Sequence, residues 1–341
     1  MQARPLIKLT SLDIRGLRAL DSLSLPGPGV IDQLPDVVVI HGENGSGKTT
    51  LIEFIAAAVS CMTARVWPAE LSPERNSWVE FKVSGDPGGH ERVRFVIGSD
   101  KHLKMHKQMS VPSYGIVMRD GRPSMSVVDQ SDWVKTARRI FGTKAPADGL
   151  PSVVYFPSNR VFHLPRTSYR AAGKIVTTRP FFHHWQPPKT WRDSLEAQLY
   201  SARWEDLNAR EEGRDEDAVH FERYVRAFEA VTSGKKSLVW SDGELFVKIN
   251  ETEQLHDLSL LSSGEKQMLI FSAELRRWWH PGSLILIDEP ELHLHTRWQV
   301  RLLETLTAWQ RELGGQVVMT TISDALLDAA PEASRFVIGE R

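Results

Sequence analysis

Apolar positions fall into two rhythms along the chain. Ile7–Ile14 alternates with the period of a strand, and Ser22–Leu25 makes a second short run. Pro26, Gly27, Pro28 and Gly29 break the pattern. Val37–Ile40 is continuous, apolar and β-branched, which predicts a strand buried on both faces. A helix over Leu51–Val59 follows. Between Trp78 and Val128 short alternating runs recur at Val79–Val83, Arg92–Ile97 and Ile116–Met118, separated by Gly, Pro and Asp, and predict an antiparallel β subdomain. Asp132–Phe141 reads as a short helix and Ser152–Phe156 as a further buried strand. Helices are expected near Asp193–Arg210 and Ala218–Val231, joined by the acidic loop Glu211–Asp217, then strands at Ser237–Trp240 and Glu244–Ile249. A helix runs from the Ser262–Gln267 segment to about Trp279. Leu284–Ile287 is a buried strand and Thr296–Glu312 an amphipathic helix. Strand Gln316–Thr320, helix Ala325–Ala330 and strand Phe336–Ile338 complete the pattern. Buried strands alternating with helices predict an α/β fold. There is no internal repeat.

Composition narrows this little. The 341 residues fit one large α/β domain or a domain with an insertion. A net charge of −1 excludes a polycation built to coat DNA, so any nucleic-acid contact must come from a local patch. The single cysteine, Cys61, rules out an internal disulfide or a cysteine metal cluster and suits a reducing, cytoplasmic setting. The first residues lack the apolar core of a signal peptide, and no run of 18 apolar residues exists, so no membrane contact is expected except through a partner.

Candidate chemistry concentrates at three places. Gly42–Thr49 reads G-E-N-G-S-G-K-T between a buried strand and a helix, the context a phosphate loop requires. Its glycines let the N–H groups of Asn44, Gly45, Ser46, Gly47, Lys48, Thr49 and Thr50 curl towards phosphate, and the helix N-terminus adds partial positive charge. Lys48 should reach the β- and γ-phosphates, and Thr49 should place its hydroxyl on Mg²⁺. The run Leu284–Ile287 ends in Asp288 and Glu289. Asp288 suits the shell of Mg²⁺, and Glu289 suits orienting or deprotonating an attacking water. Neighbouring residues at a strand end point to opposite sides, which permits two jobs. The third place is Leu261–Gln267, where Ser262, Ser263, Gly264 and Glu265 open a helix. These residues form either a second anion site or an ordinary serine N-cap with Glu265 in its first turn. One ATP does not need two helix N-termini from one subunit, and a head-to-tail pair of chains resolves the surplus.

Together N-G-S-G-K-T, L-S-S-G-E-K-Q and L-I-D-E-P-E-L-H-L-H resemble the ABC-type ATPases of the SMC/RecF/OLD group, often labelled AAA-family ATPases in bacterial genomes. The resemblance spans residues 5–60 and 255–341. It implies a P-loop NTPase head with ATP and Mg²⁺ as cofactors, pairing as a homodimer or higher homo-oligomer. Residues 1–157 and 255–341 would be the two lobes of the core, with 158–254 a helical and basic insert. It further implies that Ser262 and Gly264 touch the partner's γ-phosphate, that Glu289 is the hydrolytic base, and that Glu291–His295 lies in a loop at the dimer interface. Arg15 completes the nucleotide-binding candidates. His293 and His295 have metal-ligand spacing, although histidines at such a point more often pack or hydrogen-bond.

Two features depart from the group. Its switch segment usually reads T-T-H-S, and here Thr320–Thr321–Ile322–Ser323 puts an isoleucine where a γ-phosphate ligand would stand, so hydrolysis is expected to be slow or to use His295 or a partner group. The roughly 95 residues between Ser158 and Leu255 lack the sustained heptads of a long coiled coil.

Val153–Arg160 resembles the strand and loop before the group's helical lobe, which makes Ser158, Asn159 and Arg160 nucleotide-sensing candidates. From Ser158 to Arg192 seven Lys and Arg and six aromatic residues occur without one acid. That stretch suits a nucleic-acid backbone with stacked bases, a docking surface for an acidic or nuclease partner, or a loop packed on the helical lobe. Short members of the group often stand beside a separate nuclease or toxin in anti-phage systems such as PARIS, Septu or retron-linked systems. The resemblance therefore implies a regulatory ATPase with a separate effector. A RecF-like repair ATPase that binds DNA directly is the alternative, and a transporter ATPase is a weaker third.

Overall fold

The computed structural model describes residues 6–27, 33–64, 67–84, 92–99, 101, 113–119, 122–127, 151, 153–158, 195–262, 264–266, 268–269, 275, 279–292 and 294–339. The expected helix at Asp132–Phe141 and the basic stretch after Ser158 lie outside them.

The centre is a parallel sheet. It holds β3 (Val37–His41), β8 (Val153–Phe156), β12 (Leu284–Asp288), β13 (Gln316–Thr321) and β14 (Arg335–Val337), in the order β14-β3-β13-β12-β8. The middles of its three inner strands are apolar because both faces are covered. Val38, Ile40, Leu284, Leu286 and Val318 enter one core with α1 (Lys48–Ala64). The alternate residues Val37, Val39, Ile285, Ile287, Val317 and Met319 enter a second core on the opposite face. That core is closed by α4 (Thr296–Leu313) and α5 (Asp324–Ala329).

The first core continues into a six-stranded sheet. It contains β1 (Leu6–Leu17), β2 (Leu20–Leu25), β4 (Ser77–Ser84), β5 (Arg92–Gly98), β6 (Ser113–Arg119) and β7 (Arg122–Val127), ordered β2-β1-β4-β5-β6-β7. This is the expected β subdomain with one correction, since β5 and β6 pair in parallel. Alternation predicts a half-buried strand but says nothing of the direction of its neighbour. A buried glutamine stitches the two sheets together. Gln316 accepts from the Leu9 amide at 2.7 Å and donates to the carbonyls of Leu9 and Pro35 at 3.0 and 2.8 Å.

A third core lies between α2 (Leu195–Glu211), α3 (His220–Thr232) and a three-stranded antiparallel sheet of β9 (Lys236–Ser241), β10 (Glu244–Ile249) and β11 (Leu255–Asp257). Strand β11 was not expected, because its three residues, with Leu255 alone apolar and exposed, are too few to show an alternation. Leu258, Leu261 and Leu269 join this core, so the Ser262 segment is seated on the helical lobe. Among the described residues no helix is long and apolar enough to cross a membrane.

Candidate functional site

The C-terminal ends of β3, β12 and β13 converge, which is where open α/β sheets place their ligands. β3 leads into Gly42 and β12 ends at Asp288. β13 ends at Thr321, whose carbonyl accepts from the Gly42 amide at 3.3 Å. The loop that starts at Gly42 needs its glycines for definite reasons. Gly45 and Gly47 have φ of +83° and +96°, and a Cβ on Gly47 would stand 2.7 Å from Leu20 in the β1–β2 hairpin. A Cβ on Gly42 would meet the Ile338 carbonyl at 2.7 Å. Asn44 and Gly45 are exposed on the lip of the loop, and Thr50 is buried beneath it. Ser46 Oγ is buried without a hydrogen-bond partner among the described residues. Such an orphaned hydroxyl fits a loop shaped for an anion's oxygens.

Lys48 is buried and donates to the carbonyls of Gly42 and Glu43, each at 2.8 Å. Its ammonium is thus held inside the loop by neutral acceptors, which phosphate oxygens can replace with stronger charged bonds. Thr49 Oγ1 donates to Asp288 Oδ2 at 2.9 Å, and Thr320 Oγ1 donates to Asp288 Oδ1 at 2.5 Å. Asp288 is fully buried. One hydroxyl and one carboxylate side by side suit Mg²⁺, which keeps most of its waters and takes few protein ligands.

Glu289 follows outside the strand, half-buried, with φ of +47°. A left-handed backbone at a non-glycine residue costs about 1–3 kcal/mol and is held only where the surroundings impose it. Here the Glu289 amide is tied to the Thr320 carbonyl at 3.0 Å.

Ser262 and Glu265 form a reciprocal capping box. The Ser262 amide and hydroxyl both donate to Glu265 Oε2 at 3.0 Å, and the Glu265 amide donates back to Ser262 Oγ at 3.3 Å. Lys236 of β9 adds an ion pair to Glu265 at 2.5 Å. Burial raises the Glu265 pKa, but Lys236 and the two Ser262 bonds outweigh it and leave the carboxyl below its ordinary value. The cap holds the segment ready while Ser262 stays exposed and Gly264 half-exposed. Ser263 and His293 lie outside the described residues. His295 is exposed and caps α4, accepting from the Arg297 amide.

Arg15 sits in β1 with its guanidinium on Asp13, at 2.8 Å. Three relationships escaped the sequence. Thr320 secures Asp288 from the neighbouring strand. Glu291 accepts from the switch segment. Arg18, at the tip of the β1–β2 hairpin, stands 3.9 Å from Glu53 on α1. Burial pushes the Glu53 carboxyl up, Arg18 opposes this, and Asp288 and Glu70 add to it. Glu53 lies four residues after Thr49, one helical turn on, which is the signal that could have singled it out.

Two family models match the chain. One described as an AAA domain covers residues 11–173, and one described as "AAA domain, putative AbiEii toxin, Type IV TA system" covers 177–328. Among solved structures the chain is similar in fold to an SMC head bound to the C-winged helix domain of ScpA. The two share 15% identity over 95% of this chain and 92% of that one, with a TM-score of 0.52. SMC head domains from Thermotoga maritima and Pyrococcus furiosus align over the same shares of each chain, at 15% and 12% identity, with TM-scores of 0.44 and 0.45. No protein of curated function matches.

Proposed function

Taking as premise that the chain belongs among the ABC-type, SMC-like AAA-domain proteins, we propose that it binds ATP with Mg²⁺ and hydrolyses it between two head-to-tail copies. The observation that carries this reading is the Thr49–Asp288–Thr320 arrangement. It joins the phosphate loop, the acidic strand end and the switch strand at one point, with Glu289 one residue away. Lys48 and the loop amides take the phosphates, Thr49 and Asp288 hold the metal, and Glu289 orients or deprotonates the water. Ser262 and Gly264 cap the γ-phosphate bound by the other copy. Their own chain already supplies one helix N-terminus at Lys48, so a second is best used in trans.

The nucleotide cycle then governs a separate effector, a nuclease or toxin, in anti-phage defence. The C-terminal family model, described as a putative AbiEii toxin of a Type IV TA system, ties domains of this kind to toxin–antitoxin systems. The SMC head bound to a winged-helix domain shows that a head of this fold can receive a second protein. The arginines of 158–192 are the ground for the alternative, direct DNA binding in the manner of RecF. Neutralising Arg166, Arg170 and Lys174 together should weaken DNA binding and its salt dependence on that alternative, and unchanged binding removes it.

The direct test of the ATPase reading is Glu289→Gln. The variant should retain ATP and shift the chain to a stable dimer in size-exclusion chromatography with Mg²⁺. A variant that neither holds ATP nor changes its oligomeric state contradicts the assignment of the base.

A further inference from the structure

Glu291 is a buried carboxylate outside the catalytic set, with 6% of its surface exposed. Its Oε1 accepts twice from the switch segment, from Thr321 Oγ1 at 2.7 Å and from the Ile322 amide at 2.6 Å. Its Oε2 is buried with no hydrogen-bond partner among the described residues. A half-satisfied buried carboxylate is costly, and a shape-matched apolar side chain would stabilise the fold better. Its place in a ring of bonds points to a use. Thr321 Oγ1 accepts from the Ser323 amide at 2.9 Å, and Ser323 Oγ bonds Gln299 Oε1 at 2.5 Å. Gln299 Nε2 donates to the Leu294 carbonyl at 2.9 Å, and the Leu294 amide returns to the Glu291 carbonyl at 2.8 Å. The ring closes the loop after Glu289 onto the segment after β13. On the other side of Glu289, its own amide is held by Thr320.

We propose that Glu291 is a positioning residue for hydrolysis, one that fixes Glu289 and the switch segment relative to each other. The proposal rests on the ATPase reading above. Ile322 has no side-chain donor, and the residue is 40% exposed. The switch segment therefore cannot be placed by a polar side chain at that position, and Glu291 places it through the main-chain amide instead. This puts the order of the switch in the loop that carries the base, so the two move as one body. The carboxylate touches neither nucleotide nor metal in this account, so its loss should leave binding intact and misplace the base.

Glu291→Ala, Glu291→Gln and Thr321→Val test this in the full chain, with kcat, ATP affinity and hydrogen exchange at residues 320–323 as readouts. Glu291→Ala should lower kcat by about tenfold to a hundredfold, the cost of roughly 1 Å of misplacement, with ATP affinity near wild type. The Ile322 amide should exchange faster. Glu291→Gln keeps an acceptor oxygen and should recover most of the rate, and Thr321→Val should lower it in the same direction as alanine. Wild-type kcat in Glu291→Ala or in Thr321→Val overturns the proposal. So does a loss of ATP binding shared equally by the alanine and glutamine variants, which would mark Glu291 as a structural residue only. If the wild-type chain hydrolyses no ATP, the ATPase reading itself falls. Exchange then decides what is left: an Ile322 amide that exchanges faster in Glu291→Ala supports the Glu291 tether, and an unchanged one overturns it.

Discussion

At the scale of single residues, Lys48 shows how a binding site waits. Its charge rests on two backbone carbonyls, and on the ATPase proposal phosphate would exchange these neutral acceptors for charged ones. Lys48→Ala should weaken ATP binding by about tenfold to a hundredfold, as the loss of a charged hydrogen bond of about 1.5–3 kcal/mol requires, read by calorimetry. Glu53 carries a second prediction. Its folded pKa is raised, chiefly by burial, so its favourable contribution is present below the ordinary glutamate range and is lost as pH rises through the raised value. Glu53→Gln should therefore raise the melting temperature relative to wild type at pH 8 and lose that advantage at pH 4. An advantage that grows towards low pH would contradict the assignment. The motif residues Lys48, Thr49, Asp288 and Glu289 were legible because each sits in a short, local pattern. Thr320 on Asp288, Glu291 on Thr321 and Arg18 on Glu53 were not. Each joins positions about 30 residues or more apart, and no local pattern announces such a pair.

At the scale of elements, the Ser262–Glu265 box is the ordinary serine cap of the two readings the sequence offered. The serine is an ordinary N-cap, and the cap is what keeps the segment's exposed edge in order. Ser262→Ala should cost about 1 kcal/mol of stability, measured by urea unfolding. Glu265 has a lowered pKa, so its contribution is present above the ordinary glutamate value and lost as pH falls through the lowered one. The gap in melting temperature between wild type and Glu265→Gln should thus be full at neutral pH and close in acid below about 4.5. The central strands were legible because a run such as Val37–Ile40 has no other stable place than a sheet covered on both sides. Their order, β14-β3-β13-β12-β8, was not legible, nor was the parallel β5–β6 pair. Pairing partners are set by contacts between distant segments, which alternation within one strand does not encode.

At the scale of the whole molecule, segments far apart in the sequence meet at the candidate site. Gly42–Thr49 and Asp288–Thr321 meet across nearly 240 residues, and the helical lobe carries Ser262 on its own core. A head with its phosphate loop on one lobe and an exposed, capped helix start on another is suited to a two-fold, isologous pairing, in which each copy's loop faces the other's Ser262. The most direct measurement of that claim is ATP hydrolysis by a mixture of two defective variants, Lys48→Ala and Ser262→Arg. Each alone should be inactive, one lacking the phosphate lysine and the other blocking the segment offered to its partner. Mixed dimers contain one site that pairs an intact phosphate loop with an intact Ser262, so mixing should restore hydrolysis. A mixture as inactive as its parts, or a Ser262→Arg variant that hydrolyses ATP at the wild-type rate by itself, would contradict the shared site.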